Sequence, residues 1–522
     1  MEDNFMKYKN PVISGYNPDP SICRVGEDYY IVNSSFEFFP GVPVYHSRNL
    51  VNWELKGYCL ERESQLSLHG CKPSGGIYAP TLRYHNGTFF MTTTNTSGKG
   101  NFIVHTTDLE KGWSEPAWVD QGGIDPSLLF DDDGTVYFTS TSIDEEGNTG
   151  IFQCQVDPFT GERLTESIVI SRGCGGRYAE GPHLYKWFGR YYLMLAEGGT
   201  EYGHMETILR SDNPYGPFEA CPHNPILTHR DDMREEIYCT GHADMMEDHN
   251  GNWWMVCLAV RPCQEKSSRV LLHNLGRETF LAPVIWTEDG WPVVGENGLI
   301  SLEMDAPLPG EKPALVNRDF ADDFSQKDFS HHYNFLRNPH MENYVRDTGR
   351  KNMTLTGTKT TINEMASPTW IGVRQKGFET VSTVNVGVKE PVQGMRAGLT
   401  AYYNDSYHYE IYLTRELDTW KVSLAKHVHD IFTTTASMEI STAENVTLQI
   451  ISDKTLYRFS FSTDGEHFTE LGTGLVVGLC TESTKCMTFT GTYIGMFAEN
   501  GCGEFRDFQV KVLDELNCTN RE

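Results

Sequence analysis

The 522-residue sequence has no apolar run long enough to cross a bilayer: the longest, Trp253 to Val260, is eight residues against the roughly 20 that a spanning helix needs. Positive charge is scarce. The 43 Lys and Arg are outnumbered by 71 Asp and Glu, giving a net charge of −28. A surface that negative repels phosphate backbones and anionic lipid, which argues against nucleic acid and membranes as partners. Paired cysteines are missing as well. The 13 Cys are odd in number and none stands in a Cys-x-x-Cys pair, so neither a disulfide framework nor a zinc site is signalled and free thiols are expected. The opening Met1-Glu2-Asp3-Asn4 lacks the basic start and apolar stretch of a secretory signal. The sequons at Asn33, Asn86 and Asn95 therefore carry little weight, and a cytoplasmic location is expected. Nothing in the composition sets an oligomeric state, and a homo-oligomer stays open.

What the sequence does have is aromatic residues, 10 Trp, 25 Tyr and 27 Phe, which supply enough apolar surface to exclude general disorder. It also has an internal repeat. A short opening motif, an apolar run, a polar turn and a second, aromatic-rich run recur five times. The copies open at Asp19-Pro20-Ser21-Ile22, Ala79-Pro80-Thr81-Leu82, Asp125-Pro126-Ser127-Leu128, Glu180-Gly181-Pro182-His183-Leu184 and Gly241-His242-Ala243-Asp244-Met245. Their turns are Gly26-Glu27-Asp28, Asn86-Gly87, Asp132-Asp133-Gly134, Phe188-Gly189 and Asn250-Gly251. Each copy reads as a β-hairpin. The openings lie 46 to 62 residues apart, room for the four short strands of one propeller blade. An ordinary β-sandwich with chance likeness among hairpins is the competing explanation. Five ordered copies favour an all-β fold whose first part, 1–305, is a five-bladed β-propeller. Pro307, Pro309-Gly310 and Pro313 mark a linker over 306–319. Beyond it, alternating runs such as His408 to Leu413 and Tyr457 to Phe461 predict a β-sandwich domain of jelly-roll or concanavalin-like type over 320–522.

In a propeller, equivalent blade positions face one axis, so Asp19, Ala79, Asp125, Glu180 and His242 are expected to converge. Three of these five are carboxylates. Gathering like charges is costly and raises their pKa values, whereas paired acids in a cleft suit general acid and base work, glycoside hydrolysis above all. Each residue has a plainer explanation: Asp before Pro often only starts a turn, His242 can be a satisfied core histidine, and Phe36, Phe38, Phe39 and Tyr78 can be core. Three acids at repeat-related positions are harder to explain that way. A carbohydrate-binding propeller without activity would need sugar-stacking aromatics but not three acids.

The same residues carry a resemblance. Asn17-Pro18-Asp19-Pro20-Ser21, Ser35-Phe36-Glu37-Phe38-Phe39-Pro40-Gly41, Gly75-Gly76-Ile77-Tyr78-Ala79-Pro80 and Asp125-Pro126-Ser127-Leu128 resemble glycoside hydrolase family 43. So do Glu180-Gly181-Pro182-His183-Leu184-Tyr185, Ala196-Glu197-Gly198-Gly199-Thr200, Gly241-His242-Ala243-Asp244 and Leu275-Gly276-Arg277-Glu278-Thr279, with Ser367-Pro368-Thr369-Trp370 and Phe489-Thr490-Gly491-Thr492-Tyr493 in the second domain. The likeness spans essentially the whole chain and is strongest to two-domain β-xylosidases. It implies an inverting exo-hydrolase that releases xylose from the non-reducing ends of xylo-oligosaccharides, or, as the alternative, an α-L-arabinofuranosidase on arabinoxylan or arabinan oligosaccharides. It implies Asp19 as general base, Glu180 as general acid and Asp125 as the residue that orients the acid and modulates its pKa. Arg277 is implied near the sugar hydroxyls, with Phe36 as an aromatic wall. No cofactor is required; in some members the histidine matching His242 approaches a bound calcium through water, which makes Ca²⁺ on the axis the metal to test for. Phe489 and Tyr493 lie in a segment that can lend an aromatic to the pocket mouth or serve only as core. The sequence departs from the close xylosidases at Tyr78 and Thr81, where they typically have Trp and Asp, so substrate preference is less fixed than chemistry.

Overall fold

Two-residue turns close the inner hairpins of three of the five repeats, and five-residue loops close the other two. Asn86 and Gly87 both take positive φ (48° and 83°), which lets His85 and Thr88 pair directly across the turn, as the twist of adjacent strands requires. The computed structural model describes residues 5–514 apart from 233, 235 and 264–270. Residues 1–4 and 515–522, assigned above to the ends of the two domains, lie outside the described residues.

Each hairpin forms the inner half of an antiparallel sheet. Blade I is Ser21–Val25, Asp28–Val32, Gly41–Ser47 and Glu54–Leu60; blade II is Thr81–His85, Thr88–Asn95, Gly100–Thr106 and Ala117–Trp118. Blade III is Ile124–Phe130, Val136–Ile143, Thr149–Gln155 and Ile168–Ser171. Blade IV is Glu180–Trp187, Arg190–Glu197, Met205–Ser211 and Glu219–Ala220, with Leu227–Thr228 also on its third strand. Blade V is Tyr238–Glu247, Trp253–Val260, Glu278–Trp286 and Pro292–Val294. The chain is a five-bladed β-propeller followed by a β-sandwich. A ribbon of Met6–Lys9 paired with Glu303–Ala306 links the two ends of the propeller segment. The Asn10 side chain ties that ribbon to the backbone carbonyls of Leu281 and Ser301.

The inner strands meet at an axis held by one cation. Arg83 of blade II donates to both oxygens of Asp244 of blade V (2.8 and 3.3 Å) and reaches His183 Nδ1 of blade IV (3.1 Å). Ser21 of blade I and Tyr185 of blade IV donate to the same carboxylate, each at 2.6 Å. Four blades therefore converge on one buried acid, whose desolvation this bonding offsets.

The sandwich stacks two eight-stranded sheets, and one of them is finished by the propeller. Phe38–Phe39, in the blade I loop, pairs antiparallel with Asn334–Leu336 at the edge of the sheet that runs on through Thr369–Arg374 and Tyr493–Glu499. The shared strand places Tyr16, Phe36 and Phe38 against Trp370, Tyr493 and Phe497 in one apolar cluster. Phe38 stacks on Tyr493 with centroids 4.3 Å apart, so Tyr493 is core rather than pocket. Burying a side chain such as Phe38 contributes about 2 kcal/mol, and six large rings together leave little reason for the domains to part. Arg374 of the sandwich crosses the same interface, donating to the Tyr16 carbonyl (2.7 Å) and to Asn334 (2.8 Å).

Replacing Arg374 with Met should therefore lower thermal stability, because each buried acceptor left unsatisfied costs about 1–3 kcal/mol. A melting temperature equal to wild type would show that water or relaxation replaces the guanidinium.

Candidate active site

The carboxylates sit where the inner strands bend. Asp19, Asp125 and His242 all take positive φ (51°, 55° and 48°), a strained conformation held at the same place in three blades. In blade IV the residue in that conformation is Gly181 (φ 56°), not Glu180. This corrects the repeat alignment by one position: the acid of blade IV precedes the site equivalent to Asp19. The reason is steric. A Cβ at Gly181 would lie 2.9 Å from His242 Nε2 and 3.1 Å from its Cδ2, so the histidine ring of blade V fills the space that a side chain there would need. Glu180, one residue earlier, remains partly exposed, whereas Asp19, Asp125 and His242 are buried. Ala79 of blade II is buried and brings no charge.

Asp19 is bonded on both oxygens. Ser34 Oγ donates to Oδ2 at 2.5 Å and Arg277 Nη1 to Oδ1 at 3.0 Å, with His242 Nδ1 3.6 Å from Oδ1. Burial alone would raise this carboxyl, but Arg277, His242 and the Ser34 hydroxyl outweigh it and hold Asp19 below the usual carboxylate range. Burial also lowers the His242 pKa, so that ring is neutral near neutral pH and Arg277 is the charge that balances Asp19. The other two acids move the opposite way. Burial and the neighbouring Asp19 charge push Glu180 up to about 7. Burial, Glu180 and Asp19 drive Asp125 well upward, although the Gly181 N–H donates to it. One ionised acid thus faces a pair that retains a proton where ordinary carboxyls have lost theirs.

Rings wall the site. Phe36 lies 5.3 Å from Tyr78 and 5.6 Å from Phe489, and Tyr78 meets Phe489 edge-on at 5.9 Å. The Arg277 guanidinium stands over Phe36 (5.7 Å) and Phe489 (5.4 Å). Burial and then the nearby Asp125 raise the Tyr78 hydroxyl pKa, so this wall stands beside the acid pair. All seven residues singled out from the sequence as catalytic or sugar-facing are therefore brought together. Three partners were not singled out. Ser34 braces Asp19, Thr200 Oγ1 accepts from Arg277 (3.0 Å), and the Phe489 main-chain carbonyl accepts from its Nη2 (3.2 Å). Thr200 could have been found, since it closes the Ala196 to Thr200 motif; Ser34 and a main-chain carbonyl give no signal in a sequence.

The axial side chains supply few direct ligands for a calcium ion. Calcium prefers oxygen ligands, and His242 offers a ring nitrogen that already faces Asp19. Asp244, the axial acid nearby, is occupied by Arg83, Ser21 and Tyr185. Among the described residues, no cluster of three or more His, Cys, Asp or Glu is placed to hold a metal. Treatment with a chelator should leave kcat/KM and the melting temperature unchanged; a loss that calcium restores would show that the donors rearrange around an ion.

Comparison with known proteins agrees with this geometry. Residues 8–292 match the family model of glycosyl hydrolases family 43, and residues 321–510 match the beta xylosidase C-terminal concanavalin A-like domain. The chain is 39% identical over 525 aligned positions to a non-reducing end alpha-L-arabinofuranosidase of Bacteroides ovatus, covering 97% of this chain and 95% of that one. It is 37% identical to a xylosidase/arabinosidase of Butyrivibrio fibrisolvens, covering 83% and 85% of the two chains. Among solved structures, a xylan beta-1,4-xylosidase of Bacillus halodurans superimposes with a TM-score of 0.90 at 30% identity, covering 96% of this chain and 99% of that one.

Proposed function

This chain belongs to glycosyl hydrolase family 43 and is an inverting glycoside hydrolase, and from that premise we propose that it releases single xylose units from the non-reducing ends of xylo-oligosaccharides. The observation that carries the reading is the split among three acids: Asp19 held ionised by Arg277, and the Glu180–Asp125 pair raised by burial and by the neighbouring Asp19 charge. Single displacement needs both states at once. Glu180, the partly exposed member, gives its proton to the glycosidic oxygen as the bond to the anomeric carbon breaks. Asp19 takes a proton from the water that attacks the opposite face, and roughly 6.5–9.5 Å between acid and base leaves room for that water. Asp125 accepts the Gly181 N–H and so fixes the backbone next to Glu180, and this bond is how it orients the acid. Arg277 keeps Asp19 ionised and stands beside the sugar hydroxyls. Phe36, Tyr78 and Phe489 form the walls of a site for a small sugar without a bulky hydroxymethyl at C6.

A second reading, an α-L-arabinofuranosidase, is favoured by one residue and one relative. Tyr78 presents a smaller stacking face than the Trp expected in close xylosidases, and the relative at 39% identity is named for arabinofuranose release. Such a change in stacking is worth about 0.5–1.5 kcal/mol, which shifts a preference between pentoses without excluding either.

Two measurements test the reading. kcat/KM should be higher on an aryl β-D-xylopyranoside than on an aryl α-L-arabinofuranoside, with both detectable and aryl glucosides nearly inert. A reversed ratio would establish the arabinofuranosidase instead. On xylobiose, kcat/KM should fall as pH rises through about 7, where Glu180 loses its proton. Activity should persist down to pH values below the ordinary carboxylate range, because Asp19 protonates only there. The alkaline limb should vanish in Glu180→Gln assayed on a dinitrophenyl xyloside, whose leaving group needs no proton. A limb that survives the substitution would assign the titration to another group.

A further inference from the structure

The acid Glu180 stands at the end of a segment that ought to be loose. Residues 172–179 join the last strand of blade III, Ile168–Ser171, to the inner strand of blade IV, and they contain Gly173, Gly175 and Gly176. Glycines lose more conformational freedom on ordering than any other residue, so a stretch this rich in them keeps one shape only when something outside it supplies the bonds. That partner is a carboxylate. Glu197, at the end of the strand that pairs with the acid's own strand, is fully buried. Its Oε1 accepts the backbone N–H of Cys174 (2.7 Å) and its Oε2 that of Gly176 (2.6 Å). Thr207 Oγ1, on the third strand of blade IV, donates to Oε1 at 2.8 Å and fixes the side chain from behind. Gly198 N–H then donates to the Arg177 carbonyl at 2.6 Å.

The packing is as close as the bonding. A Cβ on Gly176 would fall 2.6 Å from Glu197 Oε2 and 2.8 Å from its Cβ, and one on Gly173 would fall 3.1 Å from its Cδ. No Lys, Arg or His among the described residues forms an ion pair with Glu197, so its charge is met by the amide donors of the loop, the Thr207 hydroxyl and the Cys174 thiol. Such charge-assisted bonds to main-chain N–H groups are shorter and about twice as strong as neutral ones. A carboxylate sealed from solvent, with both oxygens spent on the segment that delivers the acid, is more than a core requires: burial of a charge is costly, and an apolar residue would fill the same volume.

We propose that Glu197 is the positioning residue of the general acid, clamping residues 174–176 so that Glu180 meets the glycosidic oxygen at hydrogen-bond distance. It acts through the backbone and touches neither the sugar nor the reacting atoms. The assignment rests on the reading of Glu180 as the acid, and it makes a demand that a stability role does not. A displaced acid matters only where the leaving group needs a proton, so the defect should follow the leaving group.

The test compares wild type, Glu197→Gln, Gly176→Ala and Glu180→Gln on xylobiose and on a dinitrophenyl β-D-xyloside. Glu197→Gln keeps the volume but turns one of the two acceptors into an amide donor facing a backbone N–H. Gly176→Ala disturbs the same contact from the loop side and serves if Glu197→Gln does not fold. Each of these two variants should lose about tenfold or more on xylobiose and less than about threefold on the activated xyloside. If Glu180→Gln shows that discrimination and neither clamp variant does, whether through equal losses on both substrates or through no loss at all, the positioning role is overturned while the acid assignment stands. If Glu180→Gln itself fails to discriminate, the acid assignment falls and the role proposed for Glu197 falls with it.

Discussion

The pairing of Arg277 with Asp19 is the interaction on which the site depends. Both groups are almost wholly buried, and a buried ion pair is weak evidence for stability because desolvation consumes most of the attraction. Its consequence here is electrostatic. A fixed guanidinium 3.0 Å from Asp19 keeps one carboxylate charged in a place where burial would neutralise it. That charge in turn helps keep Glu180 and Asp125 protonated. Asp19 and Glu180 are thus driven in opposite directions, Glu180 by burial and the Asp19 charge and Asp19 by the cation beside it.

The same guanidinium joins the two domains. Arg277 comes from blade V of the propeller, and one of its nitrogens donates to the Phe489 carbonyl of the sandwich. Phe489 returns its ring to the wall formed by Phe36 and Tyr78 and donates its N–H to Ser74. Meanwhile Phe38–Phe39 leaves the propeller to become an edge strand of a sandwich sheet. The exchange runs in both directions across one apolar interface, so the sandwich is part of the wall of the candidate site as well as a neighbour of it.

Conformational strain sits close to the chemistry. Asp19, Asp125 and His242 each hold a left-handed backbone that costs a β-propeller about 1–3 kcal/mol per residue, and the surrounding strands enforce it. The repeat explains why the strain recurs: one bend at the start of each inner strand aims a residue at the axis. Blade IV departs from the pattern because the His242 ring lies against Gly181, and its acid is moved one residue back to a more open position. Seen this way, Glu180 is partly exposed because it does not occupy the buried, repeat-equivalent site.

The sequence by itself determined the fold class and which side chains would gather at the candidate site. Five hairpin openings at blade-length spacing predict the propeller, since a turn such as Asn86-Gly87 and the alternation around it are local properties that the chain states directly. The same spacing makes Asp19, Asp125, Glu180 and His242 converge, while the family resemblance contributed the roles expected of Asp19, Glu180, Asp125, Arg277 and Phe36. Tertiary structure alone decided the rest. The one-residue offset of Glu180, the Ser34 brace, the bond from Arg277 to the Phe489 carbonyl and the passage of Phe38–Phe39 into the other domain are contacts between segments tens to hundreds of residues apart. Several of them run through main-chain atoms that every residue type possesses, so no choice of side chain records them. A cation on the axis was likewise undetermined, because Arg83 reads in sequence as one basic residue on a strand. Only closure of the ring shows it bound to Asp244 from the far side, 161 positions along the chain.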